Sequence, residues 1–293
     1  MEWTVRKALE WTAGYLERKG DEHPRLSAEW LLCAATGLTR VEVYMNYDRP
    51  LVADELATLH AGVERRGRGE PLQYVTGEMP FRHIVLKCAP GVLIPRPETE
   101  VLVDCVLDYL DGLGVVAETP RILEIGTGTG CIALSLAGER PSVYVAATDI
   151  SPQAYDLAVR NRDALDLSER VDLYLTDLAE GVPGVDEGTF DVLVSNPPYI
   201  PSALVPTLPP EVSSYEPELA LDGGPDGLDV FRRIVGQAVA ALRPGGLLAC
   251  ELHEDCLQAA ACESLVLEHF KDVRVVQDLT HRDRILLAVR SGE

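Results

Sequence analysis

The 293 residues read as an α/β chain, a seven-stranded doubly wound sheet preceded by a small N-terminal helical bundle and a β-hairpin linker. Three observations predict this. Apolar runs of strand length alternate with segments of helical period over residues 92–293, the pattern of a parallel sheet covered by helices on both faces. A glycine-rich turn, Gly126-Thr127-Gly128-Thr129-Gly130, follows one such run directly and opens a helix, as at the carboxyl end of a central strand. Residues 1–68, by contrast, carry helical periodicity throughout.

In the first segment Val5, Ala8, Leu9, Thr12, Tyr15 and Leu16 share one helical face, and Leu26, Trp30, Leu31 and Ala34 mark a second helix opened by residues 21–24. Shorter helices cover 40–44 and 53–64. No catalytic spacing occurs here, and His23 and His60 read as surface or capping groups. Residues 69–91 switch to strand chemistry: Gln73-Tyr74-Val75 and residues 81–86, separated by Thr76-Gly77-Glu78-Met79-Pro80, fit a hairpin. The expected organisation is a helical substrate-recognition domain (1–68), a linker (69–91) and a catalytic domain (92–293).

In the third segment, Pro97 suits the first turn of a helix whose apolar face is Val101, Leu102, Val106, Leu107 and Leu110, with Glu98 and Glu100 complementing its N-terminal dipole. Pro95-Arg96-Pro97 is stiff enough to form one wall of a pocket. The strands follow at 122–125, 143–148, 171–175, 190–195, 247–252, 273–277 and 285–289. Helices are expected at 131–137, 152–165, 227–242 (capped by Arg243-Pro244-Gly245-Gly246) and 256–270.

Ligands of such sheets lie at the carboxyl ends of strands. The glycine turn, G-x-G-x-G, lacks the final gap of the dinucleotide fingerprint and the Lys of a phosphate loop. Asp149, at the end of the next strand, is placed to take both ribose hydroxyls of an adenosine, and Asp177-Leu178 could bind an adenine edge. Glu124, odd inside an apolar strand, makes sense if it accepts hydrogen bonds from the glycine loop or approaches a cationic ligand, since an unpaired buried carboxylate is costly. The apolar strand 190–195 ends in Asn196-Pro197-Pro198-Tyr199. Both prolines lack N–H groups and cannot extend a ladder. The Asn196 side-chain oxygen and the Pro197 carbonyl could therefore accept the two hydrogens of a planar NH₂ group, with Tyr199 stacked on its plane. A plain proline-rich turn is the bland alternative.

The net charge of −21, with Lys7, Lys19, Lys87 and Lys271 as the only lysines, argues against holding nucleic acid through its phosphates. Seven cysteines without a C-x-x-C pair read as small core residues in a reducing compartment, and no metal site is expected. With neither an apolar signal core nor an uncharged span of membrane length, a cytoplasmic protein is expected.

Taken together, residues 93–100 (Leu-Ile-Pro-Arg-Pro-Glu-Thr-Glu), 124–130, Asp149, Asn196-Pro197-Pro198-Tyr199-Ile200, Tyr215-Glu216-Pro217 and 220–228 resemble the bacterial HemK/PrmC family of peptide-chain-release-factor glutamine methyltransferases. The resemblance implies a class I (Rossmann-like) methyltransferase domain, S-adenosylmethionine as methyl donor, and the Gln of a release factor's Gly-Gly-Gln loop as acceptor. It implies that Gly126, Gly128 and Gly130 line the methionine part and Asp149 the ribose, with Glu124, Thr127, Thr129, Ile150, Asp177 and Leu178 also among the cofactor-binding residues. Asn196 would meet both cofactor and substrate, Pro197 and Tyr199 would act with it, and Arg96 and Pro198 would border the substrate. Leu178 stands where the family often has an aromatic residue, and residues 251–255 lack its usual Gly and Gln. The expected partners are release factors, with no direct nucleic-acid contact, no membrane and a monomeric state. A methyltransferase acting on adenine or guanine amino groups is the nearest rival, because those groups present the same planar NH₂.

Overall fold

Buried apolar residues alternate with period two along each central strand and with period near 3.6 along each flanking helix, which divides the core into separate clusters. The computed structural model describes residues 2–112, 119–261 and 263–292; Cys262, counted above among the thiols, lies outside them. The chain forms two compact units, Met1–Glu78 with Pro209–Tyr215, and Met79–Leu208 with Glu216–Glu293.

The first unit holds α1 (Val5–Arg18), α2 (Pro24–Thr36), α3 (Arg40–Met45), α4 (Ala53–Arg66) and α5 (Leu72–Thr76). Thr4 caps α1 by accepting the Lys7 N–H, and Val5, Leu9 and Leu16 meet Leu31 and Leu32 in the core. The expected face of α2 is rotated: Leu26 is exposed, whereas Ala28, Glu29, Leu31 and Leu32 are buried. Glu29 is tolerated inside because it accepts from Arg25, Arg40 and the Tyr44 hydroxyl, so an acid sits where the apolar pattern did not place one. Gln73-Tyr74-Val75, expected as a strand, lies in helix α5, which ends at Gly77 with φ +80°. The hairpin itself forms one step later, between β1 (Glu78–Phe81) and β2 (Ile84–Lys87).

The second unit is built on α6 (Thr99–Gly112), β3 (Arg121–Ile125), α7 (Cys131–Glu139), β4 (Tyr144–Asp149), α8 (Pro152–Ala164), β5 (Val171–Leu175) and β6 (Phe190–Ser195). After the short α9 (Pro210–Ser213), which belongs to the first unit, come α10 (Asp229–Ala241), β7 (Leu242–Glu251), α11 (Glu254–Ala261), α12 (Ser264–His269), β8 (Phe270–Gln277) and β9 (Asp283–Arg290). Several boundaries differ from expectation. Helix α6 starts at Thr99, leaving Pro97 and Glu98 in the preceding turn. Residues 243–246 do not cap α10 but continue β7, where a register shift opposite Asp191 absorbs Gly245 and Gly246. The helix expected at 256–270 is two helices, and Phe270 already belongs to β8.

The sheet order is β5-β4-β3-β6-β7-β9-β8. Strands β3 to β7 pair in parallel and β9 runs antiparallel to both β7 and β8. Leu123, Ile125, Leu193 and Leu248 face α10, whereas Ile122, Val192, Val194 and Leu247 face α6 and α7. The chain runs outward from β3 through β4 to β5, then returns to β6 on the other side of β3, so the topological switch point lies between β3 and β6.

The lip after β6 is braced by the loop 221–227. Ile200 donates its N–H to the Leu221 carbonyl and accepts from Gly223, both at 2.9 Å. Gly227 has φ +80°, and a Cβ there would stand 2.4 Å from the Tyr199 carbonyl oxygen. Gly227→Ala is therefore expected to destabilise the protein by about 1–3 kcal/mol, read as a lower urea midpoint; an unchanged midpoint would contradict this close approach.

Candidate active site

At the switch point Ile125 is register partner to Ser195, and the Ser195 hydroxyl donates to the Ile125 carbonyl at 2.7 Å. The glycine turn and Asn196 thus leave adjacent strands side by side. Above them opens a cavity of about 570 Å³, within the range that holds a cofactor. Arg96, Glu124, Gly126, Thr127, Gly128, Thr129, Asp149, Ile150, Asp177, Leu178, Asn196, Pro197 and Pro198 all line it. Of the residues singled out in the sequence, Gly130 and Tyr199 do not. Gly130, with φ +87°, starts α7, and a Cβ there would stand 2.8 Å from Leu134 Cδ1.

The turn is held from below and left open above. Gly126 and Thr127 donate their N–H groups to the Thr148 carbonyl at 2.9 and 2.8 Å, fixing the turn on the end of β4. Gly126 and Gly128 have φ of +75° and +58°, and a Cβ at either would enter empty space, the kind of cradle a ligand can fill. Gly128 donates to Asp149 Oδ2 at 2.8 Å, and Asp149 Oδ1 accepts from Ser151 at 2.9 Å. Burial pushes the Asp149 carboxyl above its usual range, with those backbone donors opposing.

Glu124 is fully buried. Its Oε2 accepts from the Thr127 hydroxyl at 2.7 Å and from the Ala133 N–H in the first turn of α7 at 3.1 Å, whereas Oε1 has no partner among the described residues. Desolvation pushes its pKa up to about 8, the two donors oppose, and the Asp149 charge adds to the rise. An orphaned, buried carboxylate oxygen on a residue that borders the cavity fits a cationic ligand group.

On the opposite side the Asn196 amide donates through Nδ2 to the Thr99 hydroxyl at 3.1 Å, and its oxygen has no hydrogen-bond partner among the described residues. Tyr199 turns away from the cavity: its ring tilts against His253 with centroids 6.4 Å apart, and its hydroxyl lies 3.5 Å from Glu251 Oε1. Arg96 pairs with Glu216, which also accepts the Ile94 N–H at 3.3 Å and so ties residues 94–96 to the segment after Tyr215. Asp177 pairs with Arg233 at 2.7 Å, and Leu178 beside it adopts φ +51°.

Several lining residues carry no sequence signal. Leu219, Val230 and Arg233 reach the cavity only through the return of distant segments. Thr99 was visible only as part of a motif. Glu251 was legible in principle, because it ends an apolar strand much as Glu124 interrupts one.

The PrmC N-terminal domain family matches residues 7–77, and the Methyltransferase small domain family matches residues 99–204. A release factor glutamine methyltransferase of Geobacter sulfurreducens is 46% identical over 250 residues, covering 85% of this chain and 84% of its own. One from Moorella thermoacetica is 43% identical over 290 residues, covering 99% of this chain and 100% of its own. Among solved structures, the human Mettl16 catalytic domain in complex with an RNA hairpin superposes with a TM-score of 0.56 at 18% identity, covering 83% of this chain and 84% of its own, a likeness of fold alone. With full-length relatives at this identity, a doubly wound sheet and this cavity at its switch point, the chain belongs to the release factor glutamine methyltransferase family.

Proposed function

We propose that this protein transfers a methyl group from S-adenosylmethionine to the side-chain amide nitrogen of the glutamine in the Gly-Gly-Gln loop of peptide chain release factors. The observation that carries the reading is the Asn196 amide, which borders the cavity and donates to Thr99, so that its oxygen, unpartnered among the described residues, remains to accept. S-adenosylmethionine, when bound, supplies an electrophilic sulfonium methyl. The orphaned Glu124 oxygen, the open cradle at Gly126 and Gly128, and the Asp149 carboxylate support its fit. In this reading Glu124 and residues 126–130 hold the methionine part, Asp149 and Ile150 the ribose, and Asp177 and Leu178 the adenine.

An amide nitrogen is a poor nucleophile because its lone pair is delocalised into the carbonyl. Orientation is what the protein can provide. Asn196 Oδ1 and the Pro197 carbonyl accept the two N–H hydrogens and hold the nitrogen for in-line attack, a form of positioning that supplies roughly 7–11 kcal/mol in favourable cases. Arg96 and Pro198 border the acceptor, and Tyr199 stands behind the lip as its aromatic neighbour. After transfer the nitrogen is strongly acidic and loses its proton to water, so no dedicated base is required. Residues 1–68 serve recognition of the whole release factor, 69–91 the link, and 92–293 the chemistry; the match to the PrmC N-terminal domain family, residues 7–77, covers most of the first segment and runs on into the second.

Three outcomes are expected. Asn196→Ala lowers methylation of a release factor by about 10²-fold or more while S-adenosylhomocysteine binding falls only partly; near-normal turnover in that variant would refute the grip. Because Glu124 has a pKa of about 8, it is protonated at neutral pH in the free protein, and a cationic ligand favours its ionised form. Binding of S-adenosylmethionine therefore releases a proton below that pKa, and affinity rises with pH until Glu124 is ionised without ligand. Calorimetry in buffers of different ionisation enthalpy measures this, and Glu124→Gln should abolish the dependence and weaken binding about 10-fold. Removing residues 1–68 should raise KM for the whole release factor while S-adenosylmethionine affinity is kept; an unchanged kcat/KM would refute the recognition role.

A further inference from the structure

Three stretches from distant parts of the sequence contribute to the cavity wall around Asn196: residues 94–99, the lip 196–200 and the segment 216–223. They are joined in pairs, so that they form a closed triangle. The lip meets 216–223 through backbone: Ile200 exchanges 2.9 Å hydrogen bonds with Leu221 and Gly223, and a Cβ on Gly223 would stand 2.8 Å from the Pro198 carbonyl oxygen. The lip meets 94–99 where Asn196 Nδ2 donates to the Thr99 hydroxyl at 3.1 Å. The third corner is the Glu216 carboxylate. Its Oε1 accepts the Ile94 N–H at 3.3 Å and its Oε2 pairs with the Arg96 guanidinium, 122 and 120 residues away in sequence.

The Glu216 side chain is 1% exposed, yet it does not line the cavity. Burying a carboxylate is costly, and apolar side chains of similar volume could join the same segments with less desolvation. What the carboxylate adds is direction: one oxygen takes a backbone N–H and the other a guanidinium, and the two bonds together admit one placement of residues 94–96. From Arg96 that placement passes through a tight turn, in which the Arg96 carbonyl accepts the Thr99 N–H and the Pro97 carbonyl the Glu100 N–H, both at 3.1 Å. Pro95 and Pro97 stiffen the turn. On the other side Pro217 follows Glu216 directly, and residues 218–220 form a 3₁₀ turn that leads to Leu221, the partner of Ile200.

We propose that Glu216, acting through Ile94 and Arg96, is the positioning residue that sets Thr99 against Asn196 and so fixes the amide that grips the acceptor. This rests on the amide-methylation reading for its consequence in turnover, but not for the placement of Asn196 itself. Without the Glu216 corner the 94–99 side of the triangle loosens, Thr99 draws away, and the Asn196 amide loses the bond that holds its plane. A misplacement of about 1 Å in such a group is enough to cost about 10²-fold in rate.

The test has one arm without acceptor and one with it. In the full-length protein with S-adenosylhomocysteine, the side-chain NH₂ resonances of Asn196 should shift in Glu216→Gln, whose oxygen can accept from one of the two donors while its NH₂ faces the other, and shift further in Glu216→Ala. Asn196 resonances that coincide with those of the wild type in both variants overturn the inference. With S-adenosylmethionine and a release factor, kcat should fall about 10-fold in Glu216→Gln and about 10²-fold in Glu216→Ala, while S-adenosylhomocysteine affinity stays within about threefold. In an Arg96→Gln background the pair is already broken and a Gln oxygen at 216 can still serve Ile94, so Glu216→Gln should cost less than about threefold more. A wild-type kcat in Glu216→Ala, a loss of cofactor affinity as large as the loss of rate, or a full 10-fold loss repeated in the Arg96→Gln background overturns the positioning role. If Asn196 responds to Glu216 but the wild type methylates no release factor, the functional reading fails and the hold of Glu216 on Asn196 stands.

Discussion

The parallel pairing of β3 with β6 is the constraint on which the site depends. It sets Ile125 beside Ser195, and with it the start of the glycine turn beside Asn196, although Ile125 and Ser195 lie 70 residues apart in sequence. Because the chain winds outward from β3 in one direction and returns to β6 on the other side, no crossover helix covers the crevice between their carboxyl ends. A ligand held by the turn and a group held by the lip must therefore meet. Both strands are buried on both faces, so a slip of one residue would turn Leu123 and Leu193 away from α10 and is strongly opposed.

That crevice is polarised by acids the fold keeps dry. Glu124 and Asp149 stand at the glycine turn, and Glu251 stands behind the lip. Each has its pKa raised, chiefly by desolvation. Raised carboxyl pKa values mean that the native state binds more protons than the unfolded chain above the ordinary carboxylate range. These groups consequently cost stability as pH rises toward neutrality, the opposite of salt-bridged surface acids. A fold that keeps such residues around one cavity accepts that cost where a ligand can favour their ionised form.

Much of this was legible in the amino-acid sequence, and the exceptions have physical causes. The seven strands and the glycine turn declared themselves through period and adjacency, because a strand buried on both faces has no alternative to a continuous apolar run. The buried face of α2 was misjudged because Glu29, paired with Arg40 and Tyr44, occupies a core position that hydrophobicity assigns to Leu26 or Trp30. Gln73-Tyr74-Val75 has strand-forming side chains yet closes a helical turn, since Gly77 offers the left-handed residue that ends it. At the site, Asn196 and Pro197 were readable from their own chemistry. Thr99 was not, because its contact with Asn196 exists only once the segment after β6 is brought to the start of α6.

The central claim is that Asn196 and Pro197 grip the hydrogens of a glutamine amide. The most direct measurement is a crystal structure of the protein with S-adenosylhomocysteine and a Gly-Gly-Gln peptide. The account predicts the glutamine nitrogen about 3 Å from both Asn196 Oδ1 and the Pro197 carbonyl oxygen. A glutamine side chain bound elsewhere, or bound there through its carbonyl to the Asn196 NH₂, would contradict it.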